Sequence, residues 1–330
     1  MDSNILRQPE DKSVHDTARI LMLQSQFKEI CRITDGLCNI VPLKGISLLQ
    51  TIYNKNFDRA VGDIDILIFP GDKLQELIGR LKDHGYTPQF KYLQSPAAKE
   101  VKRKVAMRSP DVRLYSDVDI HTAFISKKFY NRYSGSFNED ALSRCRHTSG
   151  NVYFMDDIDQ WLYLAQHACF HLFSKEKWIH DLYLLWNRFS GSDKEILKKR
   201  INQYNFRRTV IATFHFLHKA YQDFNPEILI EADTDKRFCL FLSNISESAR
   251  FKRRTTVKYF HEFMFIDNGR DRKKAFMRLI FPPLSLMMTI YRSKNKYLLL
   301  PLFPLHSIGV LLLLTNFLYI SANSKSTGKL

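Results

Sequence analysis

Hydrophobic residues in the first half of the chain alternate between two spacings. They recur at the helical spacing over residues 14–34 and again over 73–84, where the run ends at Gly85. Short apolar runs of the kind that form strands lie at residues 38–43, 63–70, 88–93, 99–107 and 113–124, with a last short pair at 144–147 and 151–155. The pattern predicts a unit in which helices pack on a small sheet.

From residue 157 onward the pattern is helical only. Asp157 and Gln160 fit a capping box, and an apolar stripe follows at Trp161, Ala165, Ala168 and Leu172. A second helix is predicted over residues 178–189, and helices continue to about residue 292. We therefore predict a flexible N-terminus at 1–13, a first domain at 14–155, a helical domain at 156–292 and a hydrophobic C-terminal segment at 293–330.

Composition excludes several classes of protein. Of the 330 residues, 45% are hydrophobic and 13% aromatic, which is too apolar for a disordered chain. The five cysteines form no C-x-x-C pair and are odd in number, so a reducing compartment is favoured over a disulfide framework. The first 13 residues are polar and lack the apolar core of a secretion signal, which favours a cytoplasmic location.

Three aspartates give the strongest chemical signal. Asp63 and Asp65 are two residues apart in an apolar run, so on a strand their side chains point to the same face. Asp119 lies in a second apolar run, Val118-Asp119-Ile120, and can converge on them from a neighbouring strand. Carboxylate oxygens suit a hard octahedral cation that also binds substrate phosphates. The pattern predicts a site for Mg²⁺, or Mn²⁺ in its place, and indicates phosphoryl or nucleotidyl transfer.

A basic turn ahead of these acids supplies candidate phosphate ligands. Apolar residues 38–43 are followed by Lys44-Gly45 and then by a helical run, which predicts a strand, a tight turn and a helix. The N–H groups at the helix start, the Lys44 ammonium and the Ser47 hydroxyl are candidates for binding anionic phosphate. Arg59 offers a planar guanidinium fork to the same phosphates.

These motifs resemble a known family. Leu43-Lys44-Gly45, Arg59, Gly62-Asp63-Ile64-Asp65 and Val118-Asp119-Ile120-His121 resemble the bacterial uncharacterised nucleotidyltransferases of the DNA polymerase beta-like superfamily. The resemblance spans most of residues 14–190 and continues through Asp159-Gln160-Trp161, His167, His171, Trp178 and Asp181. It implies an α+β fold, a polymerase beta-like domain with a small mixed sheet followed by a mostly α-helical domain. This chain departs from the superfamily where Ile46, in place of glycine or serine, follows Gly45.

The resemblance also implies an activity, the Mg²⁺-dependent transfer of NMP from an NTP, ATP included, to a hydroxyl or phosphate acceptor. It assigns metal binding and catalysis to Asp63, Asp65 and Asp119. It assigns nucleotide binding to Lys44, Gly45, Ser47, Arg59 and Gly62, with His121 and Asp181 as secondary site residues. It implies a role in polysaccharide or modified-peptide biosynthesis, with a sugar or a lipid-linked sugar as the acceptor.

Other interpretations stay open. A toxin-like nucleotidyltransferase would act on RNA or protein, and a catalytically degenerate relative would serve as a nucleotide-binding membrane or assembly partner. Asp63 and Asp65 can also be solvated at a strand end, and Arg59 can pair with Asp58 or Asp63 at the surface. Solvation, a local hydrogen bond or a helix cap would equally explain Lys44, Ser47, His121 and Asp181.

Positive charge is concentrated late in the chain. The formal net charge is +16, and residues 236–296 carry 15 Lys and Arg against 4 Asp and Glu. Basic clusters at 250–254 and 270–274 lie among aromatic residues such as Tyr259, Phe260 and Phe263. Such a segment can bind the phosphates of anionic lipid or of nucleic acid, or it can form a solvated helical face.

An uncharged apolar segment follows the basic one. Residues 297–324 contain no Asp, Glu, Lys or Arg, and their length alone would allow a membrane span. Pro301, Pro304 and Gly309 argue against one continuous helix, so an interfacial or re-entrant segment or a helix packed on the protein is also open. We predict that residues 236–330 contact the anionic inner face of the cytoplasmic membrane, peripherally or as an anchor, with nucleic acid as the less favoured partner.

Overall fold

The computed structural model describes residues 14–53, 59–89, 104–111, 115–125, 134–225, 264–284 and 297–323, with a few single positions between 238 and 295. The chain divides into two compact units, which we call the sheet unit and the helical unit. The sheet unit comprises residues 1–91, 103–124 and 144–155, and the helical unit comprises 92–102, 125–143 and 156–330. The predicted N-terminus at 1–13, the basic cluster at 250–254 and the aromatic residues at 259–263 lie outside the described residues.

In its described residues, the sheet unit contains one mixed sheet and three α-helices. Its helices are α1 (Val14–Thr34), α2 (Lys44–Thr51) and α3 (Leu74–Asp83). Its strands are β1 (Asn39–Leu43), β2 (Ile64–Phe69), β3 (Thr87–Pro88), β4 (Lys104–Arg108), β5 (Val118–His121), β6 (Arg146–Ser149) and β7 (Val152–Phe154). They lie in the order β3-β4-β5-β2-β1-β7-β6, with β2 parallel to β5, β1 parallel to β7 and the other neighbours antiparallel. The predicted α+β class is confirmed.

The centre of the sheet is buried on both faces. Every residue of β1 after Asn39 and every residue of β2 before Phe69 is buried, which explains why these strands read as nearly continuous apolar runs. One polar side chain in this core comes from α1. The Gln26 amide donates to the Ser116 carbonyl at 2.7 Å and accepts from the Ser116 N–H at 2.9 Å. This pair of hydrogen bonds fixes the backbone that leads into β5.

The described part of the helical unit consists of helices. They are α4 (Ser134–Ser143), α5 (Asp157–Phe170), α6 (Glu176–Asn187), α7 (Gly191–Gln203), α8 (Arg207–Ala220), α9 (Gly269–Ile280) and α10 (Leu302–Asn323). Trp161, Trp186 and Phe214 form an aromatic core, with ring centroids 5.2–6.2 Å apart. The Trp161 indole N–H donates to the Leu182 carbonyl at 3.1 Å, so the ring is both packed and hydrogen-bonded.

In this unit one sequence prediction needs correction, and one helix was not predicted. The N-cap of α5 is Asp156, whose carboxylate accepts from the Asp159 N–H at 2.7 Å, so the capping box predicted from Asp157 and Gln160 was wrong by one residue. Helix α4 was not predicted at all. It opens on Ser-Gly-Ser, which are poor helix formers, and its apolar face consists of little more than Phe137 and Ala141, both fully buried.

The apolar segment near the C-terminus forms one long helix after a short lead-in. A 3₁₀ turn at Tyr297–Leu299 precedes α10, which starts directly after Pro301. Pro304 falls in the first turn, where its missing N–H would have no intrahelical partner in any case, so the prolines mark the helix start and do not interrupt it. Among helices of the described residues, none is both long and apolar enough to cross a membrane.

Candidate metal and nucleotide site

Strand pairing brings the predicted site residues to one edge of the sheet. β1 runs antiparallel to β2, and Leu43 at its end lies opposite Asp65 near the start of β2. β5 runs parallel to β2 and places Asp119 opposite the same Asp65. The end of β1 and the starts of β2 and β5 therefore meet, and Lys44 follows immediately after Leu43.

The three aspartates converge at this edge. One carboxylate oxygen each from Asp63, Asp65 and Asp119 lies within 4.8 Å of the others. Asp65 is buried, Asp119 is half-buried and Asp63 is exposed, so the group extends from the core to the surface. Three hard oxygen donors of this kind fit a divalent cation such as Mg²⁺ or Mn²⁺. Within the described residues, no other cluster of three or more His, Cys, Asp or Glu side chains has this geometry.

Asp65 contacts two basic side chains, Lys44 and His121. Its Oδ1 accepts a hydrogen bond from Lys44 Nζ at 2.5 Å and lies 3.1 Å from His121 Nε2. Burial by itself would raise the pKa of the Asp65 carboxyl, but the hydrogen bond with His121 and the charge of Lys44 lower that pKa well below its usual range. Asp65 is therefore ionised at neutral pH. His121 reaches it because residues two apart on β5, like Asp119 and His121, point to the same face.

The turn between β1 and α2 is shaped around Arg59. A Cβ atom added at Gly45 would lie 2.5 Å from Arg59 Nη1 and 2.9 Å from Val61 Cγ1, so only glycine leaves room for the guanidinium at the start of α2. Arg59 is 5% exposed and therefore does not lie at the surface, where one interpretation of the sequence paired it with Asp58 or Asp63. Lys44 adopts a left-handed backbone with φ of 50°, which is uncommon for a residue other than glycine.

The other predicted nucleotide-binding residues have different surroundings. Ile46 is fully buried, so the position at which this chain departs from the superfamily belongs to the core of the sheet unit. Ser47 is buried inside α2. Gly62 is exposed, nothing lies within 4 Å of where its Cβ would be, and its carbonyl accepts from Arg19 Nη2 at 3.4 Å. Phosphate binding by Ser47 and Gly62 stays a prediction.

A family model described as "Uncharacterised nucleotidyltransferase" matches residues 4–222 of the chain. The chain belongs to this family. No curated protein and no solved structure matches it. The match covers the sheet unit from residue 4 on, including the whole carboxylate group, and helices α4 to α8, and it ends before α9. Of the candidate metal ligands, Asp65 and Asp119 lie on β2 and β5, and Asp63 directly precedes β2.

Several motif residues of the helical unit are buried or pack on one another. Asp159 is fully buried and forms an ion pair with Arg200, at 2.9 Å. The rings of His167, His171 and Trp178 pack on one another with centroids 4.7–5.0 Å apart. Asp181 is fully buried on α6, and its predicted contact with the nucleotide stays a prediction.

Sequence reasoning missed the partners of Asp65. The sequence predicts that Lys44 binds phosphate and that His121 is a secondary site residue, but it does not predict that both contact the Asp65 carboxylate. The order of the strands in the sheet decides these contacts, and the sequence around each residue carries no signal for it. The sequence likewise shows a glycine at a predicted turn, but it does not show that Arg59 packs against this glycine.

Proposed function

We propose that this protein is a Mg²⁺-dependent nucleotidyltransferase that moves NMP from an NTP to a hydroxyl or phosphate acceptor. The observation that carries the proposal is the convergence of Asp63, Asp65 and Asp119 at the edge between β2 and β5, next to Lys44. Membership of a nucleotidyltransferase family supports the same class of reaction. Phosphoryl-group chemistry depends mostly on positioning and charge neutralisation, which this group of side chains is suited to supply.

The carboxylates of Asp63, Asp65 and Asp119 would hold Mg²⁺, or Mn²⁺ in its place. A divalent cation there would neutralise charge on the triphosphate and on the departing pyrophosphate. The contact with His121 keeps the Asp65 carboxylate oriented, and the low pKa of that carboxyl keeps it ionised without a separate base. Asp65 is thus prepared to act as a ligand before any substrate arrives.

Lys44 and Arg59 are the residues that we assign to the triphosphate. The Lys44 ammonium already lies beside the carboxylate group, and it can move from Asp65 Oδ1 to a phosphate oxygen by rotation of its flexible side chain. The Arg59 guanidinium occupies the space that the missing Cβ of Gly45 leaves. Its planar fork is therefore preorganised and loses little entropy on binding. The N–H groups at the start of α2 add a partial positive charge at the same place.

The transfer itself is a substitution at the α-phosphorus. The acceptor oxygen forms a bond to that phosphorus while the bond to the bridging oxygen of the β-phosphate breaks, and pyrophosphate leaves. We assign the acceptor proton to Asp119, which is half-buried and fixed between β2 and β4. A carboxylate held on a central strand is positioned tightly enough to serve as a general base.

The reaction is tested by incubating the full-length protein with Mg²⁺, each α-labelled NTP, and sugar phosphates, lipid extract, RNA or protein as the acceptor. We expect pyrophosphate release and an α-labelled sugar or lipid-linked sugar product. Labelled RNA or protein would instead support the toxin-like interpretation. Transfer of the γ-phosphate would contradict the proposal, and so would tight binding of NTP without transfer to any acceptor.

Replacing Gly45 with alanine is expected to lower kcat/KM for the NTP by about a hundredfold. The new Cβ would force the Arg59 guanidinium away from its place, and a displacement of about 1 Å in a positioning group is enough for that loss. Gly79→Ala on α3 is the matched control, because nothing lies within 4 Å of its added Cβ. Steady-state kinetics of the two folded variants decide the matter, and equal kcat/KM values would show that Arg59 is not a substrate ligand.

A further inference from the structure

Helix α10 presents apolar side chains on two opposite faces. On one face Val310 is buried in a cluster with Ala275 and Leu279 of α9. On the other face Leu305, Ile308 and Leu312 are 64%, 54% and 64% exposed, at a spacing that aligns them along the helix. Apolar side chains that are exposed to water in a row are unfavourable, so the outer face of α10 is a candidate for binding a partner.

Hydrogen bonds fix which face of α10 points outward. His306 Nε2 lies 3.1 Å from the Leu279 carbonyl, and the Ser307 hydroxyl donates to the Ile280 carbonyl at 2.8 Å. Both acceptors are carbonyls at the end of α9, which are open for such partners because a helix leaves its last carbonyls without intrahelical donors. These two hydrogen bonds fix the rotation of α10 against α9. The face that carries Leu305, Ile308 and Leu312 therefore points outward.

Apolar exposure is concentrated in this part of the chain. Of the 13 large hydrophobic side chains that are exposed among the described residues, ten lie between residues 277 and 312. They are Met277, Phe281, Tyr291, Tyr297, Leu298, Leu300, Leu305, Ile308, Leu311 and Leu312. Because they lie in one stretch of the sequence and are not scattered singly along the chain, we take them as a candidate interaction surface. We call these residues the C-terminal surface.

The charge of α9, the helix that packs against α10, bears on the choice of partner. Helix α9 exposes Arg270, Lys273, Lys274 and Arg278 and contains Asp271 as its one acid. A second copy of the chain would bring an equally basic helix toward this one, and like charges disfavour that association. RNA would satisfy the basic residues but would leave the leucines in water. A bilayer with anionic headgroups satisfies both, because it offers phosphates beside an apolar interior.

We propose that the C-terminal surface docks on an anionic lipid bilayer. The leucine and isoleucine side chains of α10 enter the boundary of the acyl chains, while the lysine and arginine side chains of α9 bind headgroup phosphates. This docking rests on the helical unit alone and is independent of nucleotidyl transfer. It explains why the segment after the family match, from α9 onward, is both basic and apolar.

Flotation of the full-length protein with lipid vesicles tests the docking. We expect binding to vesicles of phosphatidylglycerol mixed with phosphatidylcholine, weaker binding to phosphatidylcholine alone, and weaker binding at high salt. The triple variant Leu305→Asn, Ile308→Asn, Leu312→Asn should bind about a hundredfold less tightly, since three apolar side chains lose their burial. Lys273→Gln with Lys274→Gln should cost about thirtyfold, the effect of two charges at a membrane surface.

The matched controls lie on α7, where Ile196, Lys198 and Lys199 are exposed. Ile196→Asn and the double variant Lys198→Gln, Lys199→Gln should bind vesicles as the wild type does. Thermal unfolding of each variant checks that the fold is retained. Equal flotation of all the folded variants would overturn the proposal. Self-association without lipid, measured by light scattering and lost in the triple variant of α10, would also overturn it. The same holds if the protein binds RNA but not vesicles and the double lysine variant of α9 loses the RNA binding.

Discussion

Asp63→Asn is expected to lower the rate of nucleotidyl transfer by about a thousandfold or more, because a metal-ligating charge contributes several kcal/mol to the transition state. Asp63 is exposed and precedes β2 by one residue, so asparagine retains the shape of the side chain and one of its two acceptor oxygens there. What the substitution removes is one negative charge from a group of three carboxylates that lie within 4.8 Å of one another. The fold should therefore survive while the chemistry does not.

The control for this variant is Asp72→Asn. Asp72 is an exposed acid in the 3₁₀ turn Gly71–Lys73 that follows the opposite end of β2, so the chemical change is the same but lies away from the carboxylate group. Pyrophosphate release and the thermal midpoint are measured for both. Wild-type turnover by a folded Asp63→Asn variant would rule out the assignment, and equal losses in both variants would show a general effect of charge.

Arg200→Met is expected to destabilise the helical unit by about 3–5 kcal/mol, because it removes the ion pair that Arg200 forms with the buried Asp159 carboxylate. Arg200 Nη1 lies 2.8 Å from each carboxylate oxygen of Asp156 and 2.9 Å from Asp159 Oδ1. Asp159 has no exposed side-chain surface, and the Asp156 carboxylate also caps α5. Methionine keeps much of the volume of arginine. The loss of stability therefore measures the effect of removing the charge and not that of creating a cavity.

The control for the buried pair is an exposed one on the same unit. Arg188 Nη2 lies 3.6 Å from Asp157 Oδ2, with both side chains more than 40% exposed, and Arg188→Met should cost less than about 1 kcal/mol. Denaturation in urea gives the free energy of unfolding for each variant. A loss of similar size in both would show that Arg200 does not hold a buried network.

Some of the fold could be predicted because single runs of sequence determine it. The helical spacing of residues 14–34 predicted α1 with the bounds that it has, and Gly85 follows α3 with φ of 84°, as its place after the helical run predicts. The convergence of the aspartates could be predicted because Asp63, Asp65 and Asp119 all lie at the starts of apolar strands. Their roles in catalysis stay predictions.

Other features depend on contacts between distant residues. Gln26 is bonded to the backbone of Ser116, 90 residues away, and no local pattern distinguishes it from other glutamines of a helix. The contact between Lys44 and Asp65 requires that β1 and β2 be antiparallel neighbours, which the apolar runs alone do not say. The N-cap of α5 was misplaced because Asp156, Asp157 and Asp159 are all acceptable caps, and Arg200 stabilises the first of them.

The most direct test of the account is Mn²⁺ binding, measured by electron paramagnetic resonance in the presence of a non-hydrolysable NTP. It needs no knowledge of the acceptor. We predict that the wild type and Asp72→Asn bind Mn²⁺ more tightly with the nucleotide than without it, and that Asp63→Asn and Asp119→Asn lose this binding. Equal Mn²⁺ binding by all four proteins, or none by the wild type, would contradict the assignment of the three aspartates as the metal site.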